Sequence, residues 1–305
     1  MLTLQTVFLV PALLLFTVSA HADPFTYVMG NNDAEGTHHF GTVDLATGAF
    51  RQIGPDAPVG SEGLAMASGG SLLTLAYNGD LYSINASTGA YTLVGPTGFG
   101  DCSTPESPCG PTSNLTLGSA NGAIYATDFQ NRLYRVNPAT GAATLIGATG
   151  IPPIPFVPAS LNDDGTINFY EEALFGARGN LYATFDAFAF DLATSSAASI
   201  AVEPALYQID PSTGRAAVVA STDLAIGAVV DANGTTYAFN LLSSQISSLN
   251  VANGSTSLLS DTDPAAGTIR GAVSATPEPA SILLTCIGIA GTVLWGAAKR
   301  NKLRR

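Results

Sequence analysis

The feature that most constrains the fold of this 305-residue chain is a strand–turn–strand pattern that occurs five times. The copies read GTVDLATGAFRQIG, LYSINASTGAYTLVG, LYRVNPATGAATLIG, LYQIDPSTGRAAVVA and, more weakly, ISSLNVANGSTSLLS. An Asp or Asn opens each turn: Asp44, Asn85, Asn137, Asp210 and Asn250. A glycine closes it four residues later: Gly48, Gly89, Gly141, Gly214 and Gly254. Such side chains accept hydrogen bonds from nearby N–H groups, and glycine tolerates positive φ, so we expect turn formers rather than metal ligands.

A second strand pair precedes four of these hairpins, in EGLAMASGGSLLTLAY, SNLTLGSANGAIYATD, EALFGARGNLYATFD and LAIGAVVDANGTTYAFN. A unit therefore has about four strands, and the closing glycines recur after 41, 52, 73 and 40 residues. This pattern predicts an all-β fold, a β-propeller with five blades. Six or seven blades are the alternatives, because the interval between Gly141 and Gly214 has room for another. We expect residues 151–170 to form a loop.

The first unit lacks its inner strand, while TIRGAVSA, from Thr268 to Ala275, has no partner strand in the sequence. Pairing this segment with the first unit would close the ring and leave no open edge. The sequence therefore predicts circular closure. The hairpins resemble bacterial propeller repeats of the LYxIDPxTG type, a group with mixed functions.

The charge of the chain argues against nucleic acid as a partner. Between Asp23 and Thr276 there are 22 acidic residues and six arginines, and the first lysine is Lys299. A surface with this negative charge repels phosphates. We expect a well-solvated exported protein.

The N-terminus has the pattern of a secretory signal. Residues 2–20 are almost wholly apolar, and Ala20 and Ala22 are the small residues of an A-x-A cleavage site. The pattern predicts that signal peptidase cuts after Ala22. Because MLTLQT contains no Lys or Arg, a retained membrane anchor is the alternative.

The C-terminus has the pattern of a membrane anchor. Residues 280–298 contain no charge, and a helix of that length would measure roughly 28 Å, close to the hydrocarbon core of a bilayer. A basic cluster follows, made of Lys299, Arg300, Lys302, Arg304 and Arg305. By the positive-inside rule this tail is cytoplasmic and the acidic bulk lies outside. A buried core helix is the alternative.

Pro277, Glu278 and Pro279 stand directly before this helix. The triplet, the helix and the basic tail together resemble the PEP-CTERM sorting signal of bacterial exported proteins. The resemblance covers about the last thirty residues and implies recognition and cleavage near the triplet by an exosortase. It further implies a single-pass stay in the inner membrane, release to the cell surface, and a Gram-negative host that makes exopolysaccharide. The expected divisions are a signal peptide at 1–22, a propeller at 23–275 and a sorting segment at 276–305, with its motif at 276–279, helix at 280–298 and tail at 299–305.

Two further features concern sites. Cys102 and Cys109 lie close together in a proline-rich stretch of an exported chain, which predicts a disulfide.

The stretch SLNDDGTINFYEE partly matches a calcium loop, with Asn162, Asp164 and Glu171 at ligand positions. Ser160 stands where Asp is expected, and a strand rather than a helix is predicted to follow. A solvated acidic loop is therefore the default interpretation, and we predict no bound metal.

We expect a binding or structural protein of the cell surface or matrix, with signal peptidase, exosortase and exopolysaccharide as partners, and no catalytic activity. The competing class is a calcium-dependent propeller hydrolase, similar to a lactonase or phytase. It would need acids converging on the central channel, for which Glu62, Glu171 and Glu172 are the candidates.

His38 and His39 are neighbours in a predicted strand, so their side chains should face opposite ways. No Gly-x-Ser-x-Gly, HExxH or phosphate-loop motif is present.

Overall fold

The computed structural model describes residues 25–32, 36–58, 60–99, 115–128, 130–151, 166–191, 196–199 and 204–275. It describes the backbone but not the side chains of residues 32, 62, 166–171, 188–191 and 196–199. The predicted signal peptide, the Cys102–Cys109 disulfide and the sorting segment from 276 onward lie outside these residues. Within the described ranges, no helix has the length and hydropathy needed to cross a membrane.

The chain forms five antiparallel sheets, which are the blades of a β-propeller. Blade 1 contains β1 (Phe25–Asn32), β2 (Thr37–Asp44), β3 (Phe50–Gln52) and the C-terminal β21 (Thr268–Ser274). Blade 2 contains β4 (Ser61–Met66), β5 (Leu72–Ala76), β6 (Asp80–Ile84) and β7 (Tyr91–Pro96). Blade 3 contains β8 (Thr116–Ala120), β9 (Ala123–Thr127), β10 (Arg132–Val136) and β11 (Ala143–Ala148). Blade 4 contains β12 (Thr166–Ala177), β13 (Asn180–Asp191), β14 (Ser196–Ser199), β15 (Ala205–Ile209) and β16 (Ala216–Ser221). Blade 5 contains β17 (Ile226–Ala232), β18 (Thr235–Asn240), β19 (Gln245–Leu249) and β20 (Thr256–Asp261), and a short 3-10 helix (Pro264–Ala266) precedes β21.

The predicted circular closure is confirmed. Strand β21 pairs antiparallel with β1, with Tyr27 opposite Val273, so the last described strand is the inner strand of the first blade. The Thr26 hydroxyl donates to the Val273 carbonyl at 2.7 Å. Joining the two ends of the chain in one sheet leaves no inner edge open to solvent.

The count of five blades is also confirmed, and the long interval in blade 4 holds longer strands rather than a sixth blade. Strands β12 and β13 have twelve residues each and pair in register along their whole length, with β14 added beside β13. The loop predicted for residues 151–170 is therefore wrong from Thr166 onward. Residues such as Ile167 and Phe169 favour strands, and pairing with β13 outweighs the turn signals just before them.

The hairpin turns form as predicted. Oδ1 of Asp44 accepts hydrogen bonds from the N–H groups of Ala46 and Thr47 at 2.8 and 3.0 Å. The residues at the same position in the other four blades accept from the residue two places later at 2.8–3.0 Å. These Asp and Asn side chains are occupied by their own turns, which confirms them as turn formers.

Glycines bring the inner strands close together around the propeller axis. A Cβ placed on Gly118 of β8 would lie 2.3 Å from the carbonyl oxygen of Leu174 in β12. One placed on Gly271 of β21 would lie 2.7 Å from the carbonyl carbon of Gly63 in β4. The inner strands therefore approach each other more closely than any side chain would permit, and the central channel is narrow.

Candidate functional site

The middle of the central channel is mostly apolar. Its lining includes Thr116, Arg270 and the apolar residues Leu64, Leu117, Leu174, Val229 and Ala272. The cavity there measures about 10 Å³, which is room for roughly one water molecule. A substrate does not fit at this level of the channel. A binding site for a larger ligand would therefore lie on one of the two faces of the propeller. We call the face at which the inner strands begin the start face, and the face at which they end the end face.

Of the acids proposed for a hydrolase, Glu172 is the one whose side chain is described. It lies on the inner strand β12, but its carboxyl group is buried between blades 3 and 4, where Oε1 accepts from the Thr127 hydroxyl at 3.1 Å. Burial, together with the charge of Asp128, raises the pKa of Glu172 to about 8 despite the Thr127 hydrogen bond. Without a cation beside it, this carboxyl group is therefore mostly protonated at pH 7.

The side chains of the other calcium candidates lie outside the described part of the structure. Asn162 and Asp164 lie outside the described residues, and Glu171 and Glu62 are described only in their backbone. The segment after the acidic loop is strand β12, as expected, and not the helix of an EF-hand. In the part of the chain whose side chains are described, no group of three His, Cys, Asp or Glu residues has metal-binding geometry.

The two neighbouring histidines face opposite ways, as predicted. His38 is buried and packs edge-on against Tyr77, with ring centroids 5.7 Å apart. His39 contacts Asp56 through Nδ1 at 2.8 Å and Thr37 through Nε2 at 3.3 Å. Hydrogen bonds from His39 and Gln52 hold the pKa of Asp56 below its ordinary value. Hydroxyl, imidazole and carboxylate are therefore joined in the order used by hydrolase triads, although no sequence motif indicated this.

A polar groove crosses the end face of the propeller. It consists of three neighbouring cavities of about 350, 220 and 130 Å³. Arg178 lines both the first and the second cavity, and Asp231 lines both the second and the third. The third cavity is the mouth of the channel, where Ser119 and Ser274 add polar groups. We call this surface, from the channel mouth across Arg178 to blade 5, the end-face groove.

The outer part of the end-face groove is rich in hydroxyl and amide groups. The 350 Å³ cavity is lined on blade 5 by Thr235, Thr236, Ser248, Asn250, Ser255 and Ser257. Arg178 is the charged residue of this cavity, and its side chain is exposed. In a chain with a net charge of −12, this outer cavity therefore offers neutral hydrogen-bonding groups around one positive charge.

Arg178 occupies a backbone conformation that arginine seldom adopts. The turn between the two inner strands of blade 4 has φ of 50° at Arg178 and 78° at Gly179. The same turns of blades 3 and 5 place asparagines there, Asn121 with φ of 50° and Asn233 with φ of 53°. Asparagine tolerates the left-handed region far better than arginine. Local strain of this kind, held by the N–H of Arg178 donating to Oδ2 of Asp231 at 3.0 Å, is typical of functional positions.

Asp231 and Thr236 are directly opposed in strands β17 and β18. Oδ1 of Asp231 and Oγ1 of Thr236 are both buried and have no hydrogen-bond partner in the described structure. Buried polar atoms are nearly always paired in native proteins. Both atoms have almost no exposed surface, so they lie beneath the end-face groove and are not presented to a ligand in it.

Sequence reasoning missed this groove. Its residues lie far apart in the chain, and Ser and Thr are common on any exported surface. One signal was available: the three aligned turns read SANGA, GARGN and DANGT, so arginine replaces the expected asparagine in one of them. The central acids that were predicted instead are not brought together by any described contact.

Comparison with known proteins gives a fold likeness and no family. No protein-family model matches the chain, and no curated protein sequence does. A structural genomics protein of unknown function from Bacteroides thetaiotaomicron is 14% identical, with a TM-score of 0.43 over 77% of this chain and 58% of its own. The PQQ-bound aldose sugar dehydrogenase from Streptomyces coelicolor is 14% identical, with a TM-score of 0.41 over 75% of this chain and 88% of its own. This chain thus spans little more than half of the first structure, and neither likeness carries an argument about ligand or activity.

Proposed function

We propose that this chain is an exported surface- or matrix-associated protein that binds polysaccharide through the end-face groove. The observation that carries the proposal is the groove itself, which is extended, rich in hydroxyl and amide groups and nearly uncharged. A polysaccharide presents many hydroxyl groups along an extended chain, and each can exchange hydrogen bonds with side chains of this type. An elongated groove suits a polymer better than the enclosed pocket typical of a small-molecule site.

The charge pattern supports the same ligand class. Arg178 would bind a carboxylate or an electron-rich ring oxygen of the sugar chain, because guanidinium groups donate several hydrogen bonds in a fixed plane. Nucleic acid is a poor alternative, since the rest of the propeller is strongly acidic.

The proposed location follows from the sequence at the two ends. Signal peptidase would remove residues 1–22, the helix at 280–298 would hold the protein in the inner membrane, and an exosortase would cut near Pro277, Glu278 and Pro279. The propeller would then reach the cell surface or the matrix. The mass of the mature protein from its host tests this step, with a Pro277→Ala/Glu278→Ala variant for comparison. A mature chain that keeps its basic tail contradicts the sorting proposal.

The second candidate function is that of a hydrolase. The calcium-dependent form, similar to a lactonase or phytase, has little support from the described side chains because the carboxyl group of Glu172 is buried between blades 3 and 4. The contacts of His39 with Thr37 and Asp56 favour a metal-independent form, in which His39 would act as a general base. Hydrolysis of an ester substrate that is lost in a His39→Gln variant would support this candidate over the binding protein.

Binding to exopolysaccharide purified from the host tests the groove directly. We expect the full chain to bind, and Arg178→Asn to weaken binding by about tenfold, roughly the loss of one charge-assisted hydrogen bond. Asparagine keeps the left-handed turn, as in blades 3 and 5, and removes only the guanidinium group. Arg215→Asn is the matched control, since Arg215 is exposed but lies away from the groove. Equal binding by the parent and both variants contradicts the proposal.

A further inference from the structure

The described chain leaves the propeller on the face that holds the end-face groove. Strand β21 ends at Ser274, which lines the cavity at the channel mouth together with Asp231. Asp231 also lines the next cavity of the groove, where Arg178 is found. Ala275 is the last described residue and follows Ser274 directly. The exit point of the chain and the proposed binding site therefore lie on the same surface.

The connection from the propeller to the proposed membrane helix is short. Four residues, 276–279, separate Ala275 from the start of the apolar stretch at Ala280. The five backbone steps from Ala275 to Ala280 span at most about 17 Å when fully extended. Pro277 and Pro279 limit the freedom of this segment further, because a proline ring fixes φ. The anchor would therefore hold the channel mouth within about 17 Å of the hydrocarbon core.

This distance decides which surface of the propeller meets the bilayer. In blade 1 the strand order is β21-β1-β2-β3, so a propeller lying on the outer edge of this blade would hold β21 about 14 Å above the lipid, before side chains are counted. The headgroup layer that covers the hydrocarbon core adds roughly 5–8 Å. The two distances together exceed the reach of the linker. The end face must therefore be turned toward the bilayer.

We propose that the anchored protein presents its end-face groove to the bilayer, and that polysaccharide reaches the groove only after the propeller is separated from the helix. With the end face toward the membrane, the linker crosses the headgroup layer and leaves a gap of about 10 Å above it. The 350 Å³ cavity on blade 5 opens into this gap. A polymer confined there loses conformational freedom, which opposes binding.

Separation of the propeller from its anchor would remove this restriction. A cut near residues 276–279, as proposed above, would leave the propeller free to turn in solution with the groove exposed. The start face would be accessible at every stage, because it lies on the opposite side of the propeller. This inference rests on the proposed polysaccharide site and on the proposed helix at 280–298, and it adds the step that controls access to that site.

Cysteine labelling of the full chain in lipid nanodiscs tests the orientation without any ligand. Thr235 lines the 350 Å³ cavity, and Ser243 lies in the turn at the other end of β18, on the start face. Both residues are exposed. A bulky maleimide polymer should label Thr235→Cys several-fold more slowly than Ser243→Cys. Labelling of the parent gives the background from its own three cysteines.

The control for this measurement is a flexible Gly/Ser insert of about twenty residues after Ala275, which has a root-mean-square length of about 25 Å. In the nanodisc, this insert should bring the two labelling rates close together, because the propeller can then turn its end face away from the lipid. A ratio of the two rates that the insert leaves unchanged would overturn the proposal. A chain that does not enter the nanodisc would also overturn it.

Binding of host exopolysaccharide to the same nanodiscs separates this inference from the proposed function. We expect the chain with the insert to bind about tenfold more tightly than the chain with the native linker, since apparent affinity falls with the fraction of molecules whose groove is open. Arg178→Asn should weaken binding by the chain with the insert.

Equal binding by the two chains, weakened in both by Arg178→Asn, would overturn the screening of the groove and leave the polysaccharide site intact. No binding by either chain would contradict the site itself, while the labelling rates would still show which face meets the bilayer. The binding assay in solution contains no bilayer and therefore reports the site alone.

Discussion

The hydroxyl group of Thr127 lies 3.1 Å from Oε1 of Glu172, across the boundary between blades 3 and 4. Both residues are buried, and Oε2 of Glu172 has no hydrogen-bond partner in the described structure. Because burial raises the pKa of Glu172 to about 8, the group is a neutral acid at physiological pH. The junction between these blades therefore contains a carboxyl group whose ionisation the fold opposes.

The first prediction concerns pH. The ordinary pKa of Glu172 is 4.5 and the folded pKa is about 8, so between these values the unfolded chain has released a proton that the folded chain keeps. The contribution of Glu172 should therefore lower the free energy of unfolding by about 1.4 kcal/mol for each pH unit as the pH rises through that window. Glu172→Gln should remove this contribution, so that the variant is more stable than the parent at pH 8 and similar to it below pH 4.5. Urea unfolding at several pH values measures the difference.

A Glu172→Gln variant whose stability runs parallel to that of the parent at all pH values would contradict this assignment. Asp56 provides a control of the opposite sign. It is exposed, and its contacts with His39 and Gln52 lower its pKa. Any stabilisation of the folded chain by Asp56 is therefore present above the ordinary pKa of this group and is lost as the pH falls.

The second prediction concerns the close approach of the inner strands. A Cβ at Gly118 would lie 2.3 Å from the backbone oxygen of Leu174, and backbone cannot move aside as a flexible side chain can. We expect Gly118→Ala to lower the free energy of unfolding by about 1–3 kcal/mol, the usual cost of overpacking. Gly69→Ala is the control, because a Cβ there meets no atom within 4 Å. Equal stability of the two variants in chemical denaturation would contradict the close packing.

The third prediction concerns ring closure. Ile269 of β21 is 3% exposed and packs with Val28 and Phe239. Ile269→Ala should cost about 2–5 kcal/mol, as for other large-to-small core changes. Because β21 joins the two ends of the ring, far-UV and near-UV circular dichroism should still report one common transition. Val218→Ala, at an exposed position, should leave stability nearly unchanged. Separate transitions in the Ile269→Ala variant would show that blade 1 unfolds on its own.

The fourth prediction concerns the buried carboxylate of Asp128. It accepts from the N–H and Nε of Arg132 at 3.0 and 2.7 Å and from the Tyr134 hydroxyl at 3.0 Å. We expect Asp128→Asn to cost about 2–4 kcal/mol, since it removes the charge that these donors face. Burial and Asp128 raise the pKa of Tyr134 to about 12, so that pKa should fall in the variant.

Asp210→Asn is the matched control for Asp128→Asn. Asp210 is exposed and opens a hairpin turn in which three other blades already use asparagine, so its substitution should be neutral. Chemical denaturation measures stability, and absorbance titration of tyrosine measures the pKa. Similar effects of the two substitutions would contradict the structural role assigned to Asp128.

Much of the fold could be predicted because each repeat contains turns that form from residues close together in the chain. A turn such as Asp210 to Gly214 needs only its own residues to form, so its position was readable from the sequence. The pairing of β21 with β1 was also predictable, since one unit lacked a strand and another segment had no partner. The start of β12 at Thr166 could not be predicted, because the turn residues just before it favour a loop and the pairing with β13 is not visible in the local sequence.

The sequence by itself determined the hairpins, the number of blades and the circular order, because turn formation and strand alternation depend on residues close together in the chain. Only the tertiary structure decided the sites. Asp231 and Arg178 are 53 positions apart, Glu172 and Thr127 are 45 apart, and each pair meets across a boundary between blades. Such meetings depend on how closely whole sheets pack around the axis, which no local pattern encodes.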